Sequence, residues 1–134
     1  MRYVLDASVA IAACRPREPA FARASARVAR ALVGDDELVL PATFGIAVAG
    51  AMARAGVAEA DVRGLLDVLG RPPHEVITLG PKRARMIEDV ALTTKLRGAD
   101  AVYVWLAARE GVPLCTLDRE MAVRGATMCR VIVP

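Results

Sequence analysis

Asp6, Asp100 and Asp118 are the residues of this chain whose type and setting could do chemistry. Asp6 directly follows the apolar pair Val4-Leu5, and Asp118 directly follows Leu114-Cys115-Thr116-Leu117. Asp100 opens a helix-forming stretch in Arg97-Gly98-Ala99-Asp100-Ala101. Carboxylates brought close together repel, and one takes up a proton unless a cation neutralises them. A divalent ion of the magnesium type solves that problem, because it prefers oxygen ligands in octahedral array and keeps several of its waters. Such an ion can orient a hydrolytic water and steady the charge of a phosphodiester, so the chemistry implied is phosphodiester hydrolysis. The competing explanation for each aspartate taken alone is helix capping, worth about 1 kcal/mol, since each stands at a predicted helix start.

The elements that must position these residues read as an alternation of strands and helices. Arg2 to Leu5 is short and β-prone, and Asp6-Ala7-Ser8 ends a strand and can cap a helix. That helix should stop near Cys14, ahead of Pro16 and Pro19; a second fits Ala20 to Leu32, with Phe21, Ala24, Val28 and Leu32 as its buried stripe. Glu37 to Leu40 reads as a strand, and Pro41 suits the first turn of a helix reaching Arg54 and closed by Gly56. A helix at Glu59 to Leu69, a strand at Glu75 to Thr78, and helices at Pro81 to Leu96 and Ala99 to Arg109 follow. A buried strand at Pro113 to Leu117, a short helix opened by Asp118 and a last strand at Arg130 to Val133 complete the order.

This alternation implies a three-layer α/β/α domain around a mostly parallel sheet, with residues 1–134 forming one unit. Open parallel sheets bind ligands beyond the carboxyl ends of their strands, where strand order reverses. Asp6 and Asp118 both occupy such ends, so if the first and fourth strands are neighbours the carboxylates converge.

Composition agrees with one domain: 134 residues, 55% hydrophobic, with aromatics at only 4%, so helices should pack through alanine and valine. No apolar run approaches the roughly 18 residues of a membrane span, and no signal segment precedes the first strand, which predicts a cytoplasmic protein. Cys14, Cys115 and Cys129 lack any pairing or zinc-type spacing and read as reduced, buried thiols. The net charge of +3 permits an acidic partner without demanding one. All cationic residues except Lys82 and Lys95 are arginines, whose fork suits phosphate or carboxylate.

The pattern Leu5-Asp6-Ala7-Ser8, then Ala99-Asp100-Ala101 continuing through Val104, Leu106 and Ala107, then Pro113 to Arg119 with Thr116-Leu117-Asp118, resembles the PIN-domain family, particularly VapC-type toxins, over nearly the whole chain. The resemblance implies a magnesium- or manganese-dependent endoribonuclease, homodimeric and held inactive by a cognate antitoxin protein. Carried over residue by residue, Asp6, Asp100 and Asp118 are metal-site carboxylates, with Ser8 and Thr116 as hydroxyl supports. The chain departs from the pattern on the helix after Pro41, where the family expects a glutamate and commonly an asparagine three residues later; here stand Ala47 and Gly50. Positions 47, 50 and 54 share a helical face, so that wall offers a methyl, a hydrogen and an arginine. The alternative to a weakened ribonuclease is a PIN relative without catalysis that binds RNA or an antitoxin. A phosphoacceptor receiver domain fits poorly, because a single acid follows strand one and no lysine follows Lys95.

Other features have ordinary explanations. Arg23, Arg27 and Arg30 share one face of the second helix, and Lys82, Arg83 and Arg85 cluster at the start of a later one; solvated faces are the default and RNA guidance the alternative. His74 reads as a surface residue, Trp105 as core or dimer contact, and Gly45 and Gly50 as allowing close helix packing. Glycine-rich phosphate loops are absent, which disfavours a nucleotide cofactor.

Overall fold

The β-prone run at the start forms strand β1 (Arg2–Leu5), in which Tyr3, Val4 and Leu5 have no solvent exposure. A strand buried on both faces belongs at the centre of a covered parallel sheet, and β1 lies there. The computed structural model describes residues 1–134. In chain order it adds α1 (Ala7–Ala13), α2 (Phe21–Leu32), β2 (Glu37–Pro41), α3 (Thr43–Arg54), α4 (Glu59–Leu69) and β3 (Glu75–Ile77). Then come α5 (Pro81–Thr94), α6 (Gly98–Glu110), β4 (Leu114–Cys115), α7 (Arg119–Gly125) and β5 (Val131–Ile132). The sheet order is β3-β2-β1-β4-β5, with every pairing parallel. The seven helices flank this sheet as the outer layers of an α/β/α sandwich.

From β1 the chain builds outward to β2 and β3, then crosses to β4 and β5 on the other side. The order therefore reverses between β1 and β4, where the ligand crevice of such a sheet opens. Register holds the two strands level there: Leu5 pairs with Cys115, and the Asp6 amide donates to the Cys115 carbonyl at 3.0 Å.

Helix α6 carries the next site residue and has the longest unbroken buried run of any helix. Ala101 through Ala107 are all buried, the mark of a helix covered on every side. It packs on β1, β2 and β4 beneath and on α5 and α7 beside it. Gly111 ends it in the left-handed conformation at φ 64°. At Gly125 a β-carbon would stand 2.9 Å from Val104 Cγ2, so this glycine is what lets α7 close on α6. No helix is long and apolar enough to cross a membrane.

Several sequence expectations need adjustment. Pro41 ends β2 opposite Ile77 instead of opening α3, since a proline at a strand's last position forfeits no ladder bond that the strand needs. On α2 the buried residues are Ala24, Val28 and Ala31, while Leu32 is exposed; the helix turns its small residues to the core. The fourth and fifth strands shrink to two residues each. His74 is buried, not at the surface: its Nδ1 accepts the Leu38 amide of β2 at 3.1 Å. Trp105 is core, with Arg109 stacked 5.5 Å from its ring centroid. Gly45 and Gly50 do not serve close packing: a β-carbon at Gly45 would make ordinary contact with Leu66, and one at Gly50 would meet nothing.

Candidate functional site

Asp6 leaves β1 at the crevice and is buried, 5% exposed. It sits in the N-cap position of α1, yet its side chain makes no capping bond. Capping therefore does not account for it. Its Oδ2 instead accepts two hydroxyl groups, Ser8 Oγ at 2.5 Å and Thr116 Oγ1 at 2.8 Å. Both hydroxyls have their protons aimed by the backbone after β4. The Leu117 amide donates to Ser8 Oγ at 3.2 Å, and the Asp118 amide donates to Thr116 Oγ1 at 2.9 Å. Each oxygen accepts from the loop and passes its own proton to Asp6, which stitches the β1–α1 and β4–α7 junctions together. The two hydroxyl supports of the sequence pattern thus have a definite job.

Asp118 follows that loop and does cap α7, its Oδ1 accepting the Met121 amide at 2.8 Å. Asp100 lies in the first turn of α6, where the helix dipole favours a negative charge. Between these two stands Arg97, the N-cap residue of α6. Its Nε donates to Asp100 Oδ2 at 3.1 Å, and its Nη2 is 3.7 Å from Asp118 Oδ2.

The electrostatics tie the three carboxylates into one cleft. Burial pushes the Asp6 carboxyl above the usual range; the Ser8 and Thr116 hydroxyls and, more weakly, the nearby Ser8 amide pull it back, and the Asp100 charge pushes it further up. No basic side chain makes an ion pair with Asp6; the one in the cleft, Arg97, goes to Asp100 and Asp118. Asp100 is also pushed upward, first by burial and then by Asp118 and Glu120, against the opposing pull of Arg97. Tyr103, one helical turn beyond Asp100, is 4% exposed, and its hydroxyl has no hydrogen-bond partner. Burial raises that phenol first and the Asp6 charge adds to it, while the nearby Ala7 amide pulls the other way without reaching hydrogen-bond geometry.

As they stand, no three His, Cys, Asp or Glu side chains are closed into a metal-enclosing group. The donor set nevertheless fits a hard divalent cation. It consists of carboxylate oxygens, and Asp6 is a buried acid with hydroxyl partners but no countercharge. The positive charge now among Asp100 and Asp118 comes from Arg97.

The fourth wall differs. Helix α3 leaves the carboxyl end of β2, beside β1, and packs on α1. Ala47 and Gly50 are exposed on it, with open space where a β-carbon at Gly50 would stand, and Thr43 Oγ1 is buried without a partner.

The basic clusters divide. Arg27 and Arg30 turn to Asp36 at the opposite end of the sheet, at 3.9 Å and 3.1 Å, so they do not guide anything toward the cleft. Arg23 lines a groove that reaches Ser8 and Leu117. Arg83 is engaged by the Thr78 carbonyl at 2.6 Å.

The fold and the acids at its switch point agree with a family match. The model of the PIN domain matches residues 3–126. The chain belongs to the PIN-domain family.

Solved structures share this fold. PAE2754 from Pyrobaculum aerophilum superposes with a TM-score of 0.68 at 24% identity, covering 98% of this chain and 83% of that one. FitAB bound to the IR36 DNA fragment gives a TM-score of 0.73 at 17% identity, with 100% and 95% covered. VapBC2 from Rickettsia felis, bound to a DNA fragment from their promoter, gives 0.65 at 12% identity, with 99% and 98% covered. A search of curated protein sequences gave no significant match.

Sequence reasoning missed Arg97, Tyr103 and Glu120 as neighbours of the acids. The signal for the first two was helical spacing: both lie three residues from Asp100, on its side of the helix.

Proposed function

We propose that this PIN-family chain is a metal-dependent endoribonuclease, the toxin of a toxin–antitoxin pair, working with reduced activity because Ala47 stands where a glutamate is expected. The observation that carries this reading is Asp6: a buried carboxylate at the strand-order reversal, held by two aimed hydroxyls and lacking a countercharge. A protein gains nothing in stability from that arrangement, and it suits a cation from outside.

Asp6, Asp100 and Asp118 would hold magnesium or manganese. When bound, such an ion offsets charge on the phosphodiester and makes a nearby water easier to deprotonate. The chain supplies the rest. Ser8 and Thr116 fix Asp6 Oδ2, the Met121 amide fixes Asp118, and the first turn of α6 holds Asp100. With no carboxylate on α3, one fewer group orients the attacking water. Arg23, in the groove adjoining Ser8, supports an approach path for an RNA backbone. The structural neighbours named VapBC2 and FitAB support an antitoxin partner; a homodimer and a cytoplasmic setting belong to the same proposal and come from the family resemblance alone.

A second reading is a PIN relative that binds RNA or an antitoxin without cutting, favoured by the bare wall at Ala47 and Gly50. An RNA cleavage assay in magnesium separates the two. Slow cleavage that Asp6→Asn abolishes and Ala47→Glu raises about tenfold or more supports the nuclease. Cleavage indifferent to Asp6→Asn, or none in either the natural chain or Ala47→Glu, would leave the binding role.

A further inference from the structure

We propose that Arg97 is a resident counter-ion of the acidic cleft, which a divalent cation must displace, and is thereby the residue that sets metal affinity. The inference rests on the metal-site reading above and adds a competitor to it. Three observations carry it.

The first is which oxygens are taken. Asp118 commits Oδ1 to the Met121 amide, so Oδ2 is the oxygen left for a ligand, and that is the one facing Arg97 Nη2 at 3.7 Å. Asp100 likewise gives Oδ2 to Arg97 Nε at 3.1 Å. The guanidinium spans two of the three carboxylates that a metal would use.

The second is the freedom of Arg97. Its side chain is 75% exposed and its polar partners are these acids, whereas the carboxylates are 14% and 27% exposed. An exposed ion pair of this kind is weak and readily exchanged. The acids are fixed by helix starts and packing, so on exchange the arginine swings into solvent and they stay.

The third is the charge balance. Three carboxylates with one guanidinium leave two negative charges. Asp6 has no ion-pair partner, since the guanidinium goes to Asp100 and Asp118. Arg97 keeps Asp100 and Asp118 compatible in the metal-free protein, and two like charges so placed need such a partner. An arginine also suits temporary service, being weakly hydrated and able to bridge two acids with one fork, which a lysine ammonium cannot.

The test is a manganese titration, by calorimetry or by the spectrum of free manganese, on the natural chain, Arg97→Gln and Arg97→Lys, with thermal melts of each in chelator. The expected result is manganese binding tightened about fivefold in Arg97→Gln, the size of an exposed ion pair, with the lysine variant between the two. In chelator the Arg97→Gln protein melts lower than the natural one, and manganese closes the gap. Unchanged or weaker binding in Arg97→Gln overturns the inference while leaving the metal site in place. Absence of manganese binding in all three proteins overturns both the inference and the metal-site reading. Binding that persists in Asp6→Asn places the titrated ion elsewhere and also overturns the proposal.

Discussion

Two buried aspartates at opposite ends of the same sheet are treated in opposite ways. Asp36, at the amino end, has a side chain with no solvent exposure and a full set of donors. Arg30 Nε and Nη2 each reach it at 3.1 Å, the Met1 amine at 3.0 Å and the Tyr3 hydroxyl at 3.4 Å. Its carboxyl is held below the usual range, by Arg30 above all. Asp6, at the carboxyl end, is also shielded from solvent but more densely enclosed, with hydroxyl partners and no ion-pair partner, and its carboxyl is pushed up by burial. A carboxylate neutralised from within serves the fold. One enclosed without an ion-pair partner is what the proposed metal site requires.

The largest effect that tests this contrast is on stability. Asp36→Ala leaves the Tyr3 hydroxyl and Arg30 without their acceptor and should cost about 3 kcal/mol in urea unfolding. Asp6→Asn keeps an acceptor for one hydroxyl and removes a poorly compensated charge, so metal-free stability should move by less than about 1 kcal/mol in either direction. Equal losses in the two variants would break the comparison.

A smaller effect separates the ends by pH. Asp36 has a folded pKa below its unfolded one, so its contribution is full above about pH 4 and is lost as pH falls through the folded value. Asp6 and Asp100 are shifted the other way: the folded chain holds protons that the unfolded chain releases. Their effect is that metal-free stability declines as pH rises from about 4 through their raised folded values. Melting temperatures across pH should show the acid-side loss in every protein that keeps Asp36. The decline on the rising side should shrink in Asp6→Asn, and in the natural chain when magnesium is added. A rising limb that ignores both changes would remove Asp6 from the role assigned to it.

The contrast between the ends was only half visible in the sequence. Asp6 and Asp118 stood out because each ends an apolar run, and a parallel sheet has one functional edge, so topology alone carried them together. Thr116 and Ser8 were named only through the family resemblance. The ring of donors around Asp36 was not legible, since Tyr3, Arg30 and the Met1 amine reach it across separations that no local pattern encodes. His74 failed for the same reason: a Pro-Pro-His loop reads as exposed, while the imidazole is needed under β2 to take the Leu38 amide. Pro41 misled because its fixed φ suits a helix start and a strand end alike. Arg97 escaped notice because an arginine before a helix usually points to solvent. Its partners became visible only when Asp118 arrived beside α6 from a later strand.

The smallest effect concerns the two tyrosines that stand one at each end. The Tyr3 hydroxyl donates to Asp36, and the Tyr103 hydroxyl is buried near Asp6 and Asp100 with no partner. Removing a satisfied buried donor costs about 1 kcal/mol, whereas removing an unsatisfied one is near neutral or stabilising. Tyr3→Phe should therefore lower urea stability by about 1 kcal/mol, and Tyr103→Phe should leave it unchanged or raise it slightly in chelator. The decisive comparison repeats both measurements with magnesium. If the phenol at 103 belongs to the cleft, it gains a partner in the loaded site's ordered water, and the phenylalanine variant should then gain less stability from magnesium than the natural chain does. Tyr3→Phe should gain as much as the natural chain, because its end of the sheet already holds all the charge it needs. An identical magnesium gain in both variants would assign the orphaned hydroxyl to packing alone and confine the cleft to its three carboxylates.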